Sequence, residues 1–213
     1  RRELEAIKRS DTELTVTCPT VGPITIESAY DEAIAVPPTL ELVRRANAEG
    51  FDGVILACFS DPGINAAKEI SDIPVVGIEE ASLHAAAMLG YKFTILTPLP
   101  RRIPHKHEEV RRYRMEDSLA SVRALGMTVA ETDADPARTK KRIMEVAAEA
   151  AEKDGAEVMI LGCAGMAGCA AEVERALGIV VIDPSAVALK LCEALVAAGL
   201  RHSKRALFSR PPA

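Results

Sequence analysis

Two cysteines, Cys58 and Cys163, each close a short apolar run and stand directly before small residues and turn formers. The stretches read Val54-Ile-Leu-Ala-Cys58-Phe-Ser-Asp-Pro-Gly63 and Met159-Ile-Leu-Gly-Cys163-Ala-Gly-Met-Ala-Gly168. A sulfur in such a place can take or give a proton. Two of them on opposite faces of a carbon acid could remove a proton from one side and deliver one from the other, which inverts the stereocentre. The unpaired N–H groups of a helix start are expected to lower such a thiol's pKa from about 8.5 toward neutrality. Asp61, close to Cys58, should oppose ionisation there, so Cys163 is expected to be the readier base in the resting state. Gly162, Gly165, Gly168 and Ser60 leave backbone room for a ligand. Each hydrogen-bond donor aimed at a developing enolate oxygen would be worth about 3 kcal/mol.

A single cysteine after an apolar strand is ordinarily a small buried hydrophobe. What separates this pair is recurrence. Sliding the chain against itself by 163 − 58 = 105 positions also places Gly50 on Gly155, Ile55 and Leu56 on Ile160 and Leu161, and Val75 and Val76 on Val180 and Val181. A core residue has no reason to return at the same strand end in both copies. The repeat predicts an α/β fold of two pseudo-symmetric lobes, each a mostly parallel sheet flanked by helices. Each lobe would place one thiol at the carboxyl edge of a strand, facing a cleft between the lobes where such sheets bind ligands. Residues 1–90 with 183–213 form the first lobe in this reading and 91–182 the second. Cys169 and Cys192 read as packing; Cys18 stays open.

The elements that must position the thiols follow from pattern. The stretch from Arg1 to Arg9 reads as a helix and Thr12 to Cys18 as a strand. Pro19 to Glu27 is a loop at the ligand edge, followed by helical patterns from Glu27 to Ala35 and, beyond Pro37-Pro38, to Glu49. Asp61 and Pro62 are expected to start a helix to Ile70, and Asp183-Pro184 the last helix to Ala198. Between these come strand Val75–Ile78, helix Glu79–Leu89, strand Lys92–Thr97 and helix through Ala124, interrupted near Glu116. Then come strand Gly126–Glu131, helix Ala137–Lys153, strand Glu157–Leu161, helix Met166–Leu177 and strand Ile179–Ile182. Pro98 to Pro104, basic and kinked, is expected to be a mobile flap, and Ser209 to Ala213 a frayed tail. Since the second lobe opens on Lys92, its first-lobe counterpart falls at 92 − 105 = −13. A first strand and loop of roughly a dozen residues are therefore expected to precede Arg1 in the full protein.

Composition narrows the partner. The chain has 213 residues, 48% of them hydrophobic, enough for one large domain or two small ones. The charge of −5 argues against nucleic acid, and no apolar run approaches the ~20 residues of a membrane span. Five cysteines, an odd number with no CxxC, point to reduced thiols in a cytosol rather than to a disulfide framework. The histidines lack zinc-site spacings, and His105-Lys-His107 reads as a solvated basic loop, so no metal is expected. Neither GxGxxG nor a P-loop occurs.

With these residues in view, the chain resembles the aspartate/glutamate racemase superfamily and, within it, the hydantoin racemase family. The likeness is carried by Gly22-Pro23 with Ile26-Glu27-Ser28, Ala57-Cys58-Phe59-Ser60-Asp61-Pro62-Gly63, Val75-Val76-Gly77-Ile78, Leu161-Gly162-Cys163-Ala164-Gly165-Met166 and Val181-Ile182-Asp183-Pro184. The resemblance implies cofactor-independent racemisation of 5-substituted hydantoins, with Cys58 and Cys163 as the acid/base thiols. It further implies that Phe59, Gly162 and Thr97 line the substrate pocket, that Thr25 and Ile26 approach the ring, and that the enzyme is a homo-oligomer. Ser60 stands where the family usually has glycine and narrows the space beside Cys58. The family's opening strand, with its Asn-Pro-Asn type turn, has no counterpart after Arg1. Allantoin, which shares the hydantoin ring, is the second substrate; an amino-acid racemase or decarboxylase is a further alternative. A thiol redox sensor or ligand-binding protein is the non-catalytic one.

Overall fold

The computed structural model describes residues 2–212, so the expected helix start at Arg1 and tail end at Ala213 lie outside the described residues. Six parallel strands form two sheets. In the first, β1 (Val54–Leu56) pairs with β2 (Val75–Gly77); in the second, the order is β4 (Leu119–Ala124), β3 (Phe93–Thr97), β5 (Val158–Leu161), β6 (Val180–Ile182). Parallel neighbours require crossovers, and helices supply them. They are α1 (Arg2–Ile7), α2 (Ala29–Ala48), α3 (Ile64–Ile70), α4 (Ile78–Leu89), α5 (Ile103–Arg112), α6 (Val129–Ala134), α7 (Pro136–Asp154), α8 (Ala170–Leu177) and α9 (Pro184–Ala197).

The repeat survives folding. Adding 105 to β2 gives β6, and adding it to β1 gives the last three residues of β5, although the β5–β6 pairing is one residue out of step with β1–β2. Strands buried on both faces must be apolar throughout, and β3 and β5 are buried along their whole length. One face of the second sheet meets α7, whose Ile143, Val146, Ala147 and Ala150 recur at helical spacing and are buried with Leu96, Met159 and Leu161. The other face merges with the first sheet. Phe59, Val76, Ile78 and Leu83 share one core with Phe93, Ile95, Ile160 and Ile182. This common core fixes one sheet against the other.

Several expectations change. Helix α2 runs unbroken across Pro37 and Pro38, which leave the Ala33 and Ile34 carbonyls without their i+4 donors; Ser28 caps its first turn by accepting from the Asp31 N–H, and the Thr39 hydroxyl donates to the Ala35 carbonyl. Leu119–Ala124 is strand rather than the end of a helix, because β3 lies beside it and Ser121 meets Thr94 across the ladder at 2.9 Å. The stretch Gly126–Glu131 is not strand. There Thr128 and Glu131 cap each other reciprocally and start α6, a Thr-x-x-Glu signal present in the sequence. The expected helix from Met166 divides into a short 3-10 turn, Ala164–Met166, and α8. Thr12–Cys18 has no regular secondary structure, is largely exposed and pairs with no strand among the described residues. Within Pro98–Pro104, Pro100–Arg102 forms a 3-10 turn into α5, and Arg102 is buried against Glu32.

Candidate active site

The carboxyl ends of β1, β3 and β5 open onto one cleft of about 1620 Å³, which Cys58, Thr97, Gly162 and Cys163 all line. The loop after Cys18 closes another side, bringing Thr25 and Ile26 to the same space, with Phe59 and Ser60 beside Cys58. All eight residues singled out from the sequence therefore share one cleft. Their parts differ. Phe59 is only 6% exposed, its ring belonging mainly to the common core. Ser60 places its hydroxyl 3.6 Å from the Cys58 sulfur. Thr97 is buried, and its hydroxyl has no hydrogen-bond partner among the described residues. A buried hydroxyl left in that state is free to meet a ligand group. Gly162 is dictated by crowding, since a Cβ there would stand 2.6 Å from the Leu96 carbonyl oxygen.

Each thiol turn is tied to a neighbouring helix by an aspartate, in opposite senses. Asp61 does not cap α3, whose start belongs to Gly63. Its buried carboxylate reaches across to α4, accepting from the Glu79 N–H (3.1 Å) and the Glu80 N–H (2.8 Å). Gly77 leaves the room, because a Cβ at that position would fall 2.1 Å from the Asp61 carboxyl carbon. At the Cys163 turn Asp183 caps its own helix, α9, as expected, and its second oxygen accepts from the Gly168 N–H just beyond that turn (2.9 Å). A helix start needs outside acceptors, and here those acceptors also fix where the sulfurs sit.

The expected lowering of the thiol pKa values does not occur. Burial pushes Cys58 up to about 11; the charges of Cys163 and Asp61 add to this, while Ser60 and Lys106 work against it. Cys163 is also pushed up, by burial first, then by Asp133 and Glu27, against the relief given by the Gly165 N–H and Lys106. The physical reason lies in the turns. The Ser60 and Asp61 N–H groups donate to the carbonyl of Cys58 rather than to its sulfur, and the helices that follow begin only at Ile64 and Ala170. No α-helix start faces either sulfur, and at Cys163 the single 3-10 turn Ala164–Met166 offers only the Gly165 N–H, which burial outweighs.

Comparison with known proteins places the chain in a family. The Asp/Glu/Hydantoin racemase family model matches residues 1–192. The chain belongs to the Asp/Glu/Hydantoin racemase family. It is 40% identical to a hydantoin racemase of Paenarthrobacter aurescens over 91% of this chain and 82% of that protein. Against a hydantoin racemase of Pseudomonas sp. (strain NS671) it is 37% identical, over 95% of this chain and 82% of the relative. The solved allantoin racemase from Klebsiella pneumoniae superposes with a TM-score of 0.96 at 35% identity, covering all of this chain and 86% of that one.

Two groups of this racemase that the sequence reading left out also face the cleft. Glu27 accepts the Val129 N–H at the start of α6 (2.8 Å), pinning the first-lobe loop to the second lobe beside Cys163. Lys106 lines the cleft although only 2% exposed, and its ammonium donates to the Phe59 carbonyl. His105-Lys-His107 is therefore helix, not solvated loop. The signal was the spacing Ile103, Lys106, Val110, Tyr113, which puts Lys106 on the inward face of α5. Glu109, one turn along α5, is joined in space by Glu32 from α2, so that Glu32, His105 and Glu109 bring ligand-type atoms within 4.8 Å of one another. They form a compensated ion network, since Arg102 pairs with Glu32 and Lys106 with Glu109.

Proposed function

We propose that this racemase interconverts the enantiomers of 5-substituted hydantoins by two-thiol proton transfer, with Cys58 and Cys163 as the catalytic pair. The observation that carries the reading is that both sulfurs line one cleft from equivalent strand ends of the two sheets. A hydantoin's C5–H is flanked by a carbonyl, so its electron pair can move onto that oxygen as the proton leaves. One thiolate takes the proton from C5, forming S–H and an enolate. The opposite thiol then gives its own proton to the other face of C5 and is left as the thiolate. The ring is inverted, the two sulfurs have exchanged states, and the reverse reaction starts from the other side. The roles are symmetric, as a racemase requires.

The free Thr97 hydroxyl is the candidate donor to the enolate oxygen, and Thr25, Ile26 and Gly162 shape the surrounding walls. Residual proton affinity is set by burial, so closing the ligand over the sulfurs keeps water from competing for the proton. The chemistry asks for no cofactor or metal. It does ask for reduced thiols, and every described cysteine is free, which suits a cytosolic setting. Allantoin is the second substrate, favoured by the structural likeness to an allantoin racemase. Among the described residues no helix is long and apolar enough to cross a membrane.

The test is loss of the circular dichroism of a pure hydantoin enantiomer, run beside allantoin, in heavy water. Cys58→Ser and Cys163→Ser should each lower racemisation by at least about 100-fold. Each variant should still exchange deuterium into the one enantiomer whose C5–H faces its remaining thiol. Full racemisation by both variants would end the two-thiol reading, and faster turnover of allantoin would reverse the order of substrates.

A further inference from the structure

Lys106 carries a full charge into the middle of the molecule. Its Nζ stands 3.1 Å from Glu79 Oε1 and 2.7 Å from Glu109 Oε2, and 4.8 Å from the centre of the Phe59 ring. Beside it the His105 Nε2 bridges Glu109 (3.0 Å) and Glu32 (3.2 Å), and Arg102 closes on Glu32. A methionine or leucine could fill this space, because a buried ion pair seldom improves on well-packed apolar side chains for stability. An ammonium kept here, at the backbone of the residue that follows Cys58, points to a use in the cleft that it lines.

We propose that Lys106 is a positioning residue of the racemase: fixed at the Phe59 carbonyl, its ammonium holds the Cys58 turn in place and serves as the counter-charge that both sulfurs share. The assignment rests on the two-thiol reading above. Catalysis moves the negative charge from one sulfur to the other, so a cation serving one sulfur alone would trap the enzyme in one of its two resting forms. A cation within reach of both supports either form. Lys106 acts in the same favourable sense on both sulfurs. The remaining groups act on one each: Ser60 and Asp61 on Cys58, and the Gly165 N–H, Asp133 and Glu27 on Cys163. Lys106 itself is held charged by Glu79 from α4 and Glu109 from α5, against its own burial.

Alkylation by iodoacetamide, followed at Cys58 and Cys163 separately by peptide mass spectrometry as pH is raised, tests this without requiring turnover. Lys106→Met should move both alkylation midpoints upward by about one pH unit. Midpoints that stay in place in the folded variant, or a shift at Cys58 alone, would overturn the shared counter-charge. Should Lys106→Met leave Glu79 and Glu109 too strained to fold, Lys106→Met with Glu79→Gln removes one of the two carboxylates and should show the same upward shift. Failure of the shared counter-charge is distinct from failure of the two-thiol reading, which is decided by whether the cysteine-to-serine variants still racemise.

Discussion

Gly162→Ala puts the thiol geometry to the sharpest test. The new Cβ would stand 2.6 Å from the Leu96 carbonyl oxygen, 3.0 Å from Ile95 Cγ2 and 3.2 Å from the Leu96 carbonyl carbon. Two of these three atoms are backbone of β3, a strand held on both sides by β4 and β5, so no side-chain rotation relieves the contact. Restoring an ordinary separation of about 3.4 Å to that oxygen requires β5 and β3 to part by roughly 0.8 Å at this point. The Gly162 N–H donates to the same oxygen at 2.8 Å and would be stretched with it. Overpacking of this kind costs about 1–3 kcal/mol, which for a chain of this size lowers Tm by about 2–12 °C. The larger effect falls on the next residue, Cys163. A catalytic group misplaced by nearly 1 Å can lose about 100-fold in rate. Thermal unfolding and racemisation measured on the same preparation give both numbers. A Gly162→Ala protein with unchanged Tm and unchanged kcat would refute the argument that this glycine sets the distance between β3 and the Cys163 turn.

Two further outcomes follow from the same structure. Since burial holds Cys58 up at about 11 and pushes Cys163 up as well, the thiolate is scarce near neutrality, and racemisation should climb by up to about tenfold per pH unit from pH 7 to 9; an initial-rate profile that is flat or falling over that range would contradict it. Asp61→Ala should destabilise by about 1.5–4 kcal/mol in denaturant unfolding, because it removes the shared cap of α4 and leaves alanine at a left-handed φ of 45°. Asp61→Asn, which tolerates that φ and keeps one acceptor, should cost about 1 kcal/mol; equal losses for the two variants would show that the cap plays no part.

Much of this molecule follows from local chemistry. The recurrence of strand, cysteine and small residues at a fixed offset is enough to predict two parallel sheets with a thiol at each strand end, because a buried parallel strand must be apolar and its exit must turn. Cys58, Cys163, Thr97 and Gly162 were identified in that way or through family resemblance, and Asp183-Pro184 caps α9 by contacts two and three residues away. What the sequence could not decide was anything whose partner comes from elsewhere in the chain. Asp61-Pro62 has the same local pattern as Asp183-Pro184, yet Asp61 serves α4, because Gly77 opens a space that only the packed sheets bring near. Leu119–Ala124, with Val122 as its one β-branched residue, becomes strand because β3 is beside it, whereas Thr12–Cys18, with four, does not, since no strand among the described residues pairs with it. The thiols are harder to ionise than the turn sequences suggest, since burial outweighs the few donors left free. Lys106, flanked in sequence by histidines and followed by glutamates, reads as surface until α5 turns its inward face to the core. Local preference therefore fixed the repeated strands and the two sulfurs; the edge strand β4, and the desolvation and charge around the thiols, come from packing, which depends on residues far apart in the chain.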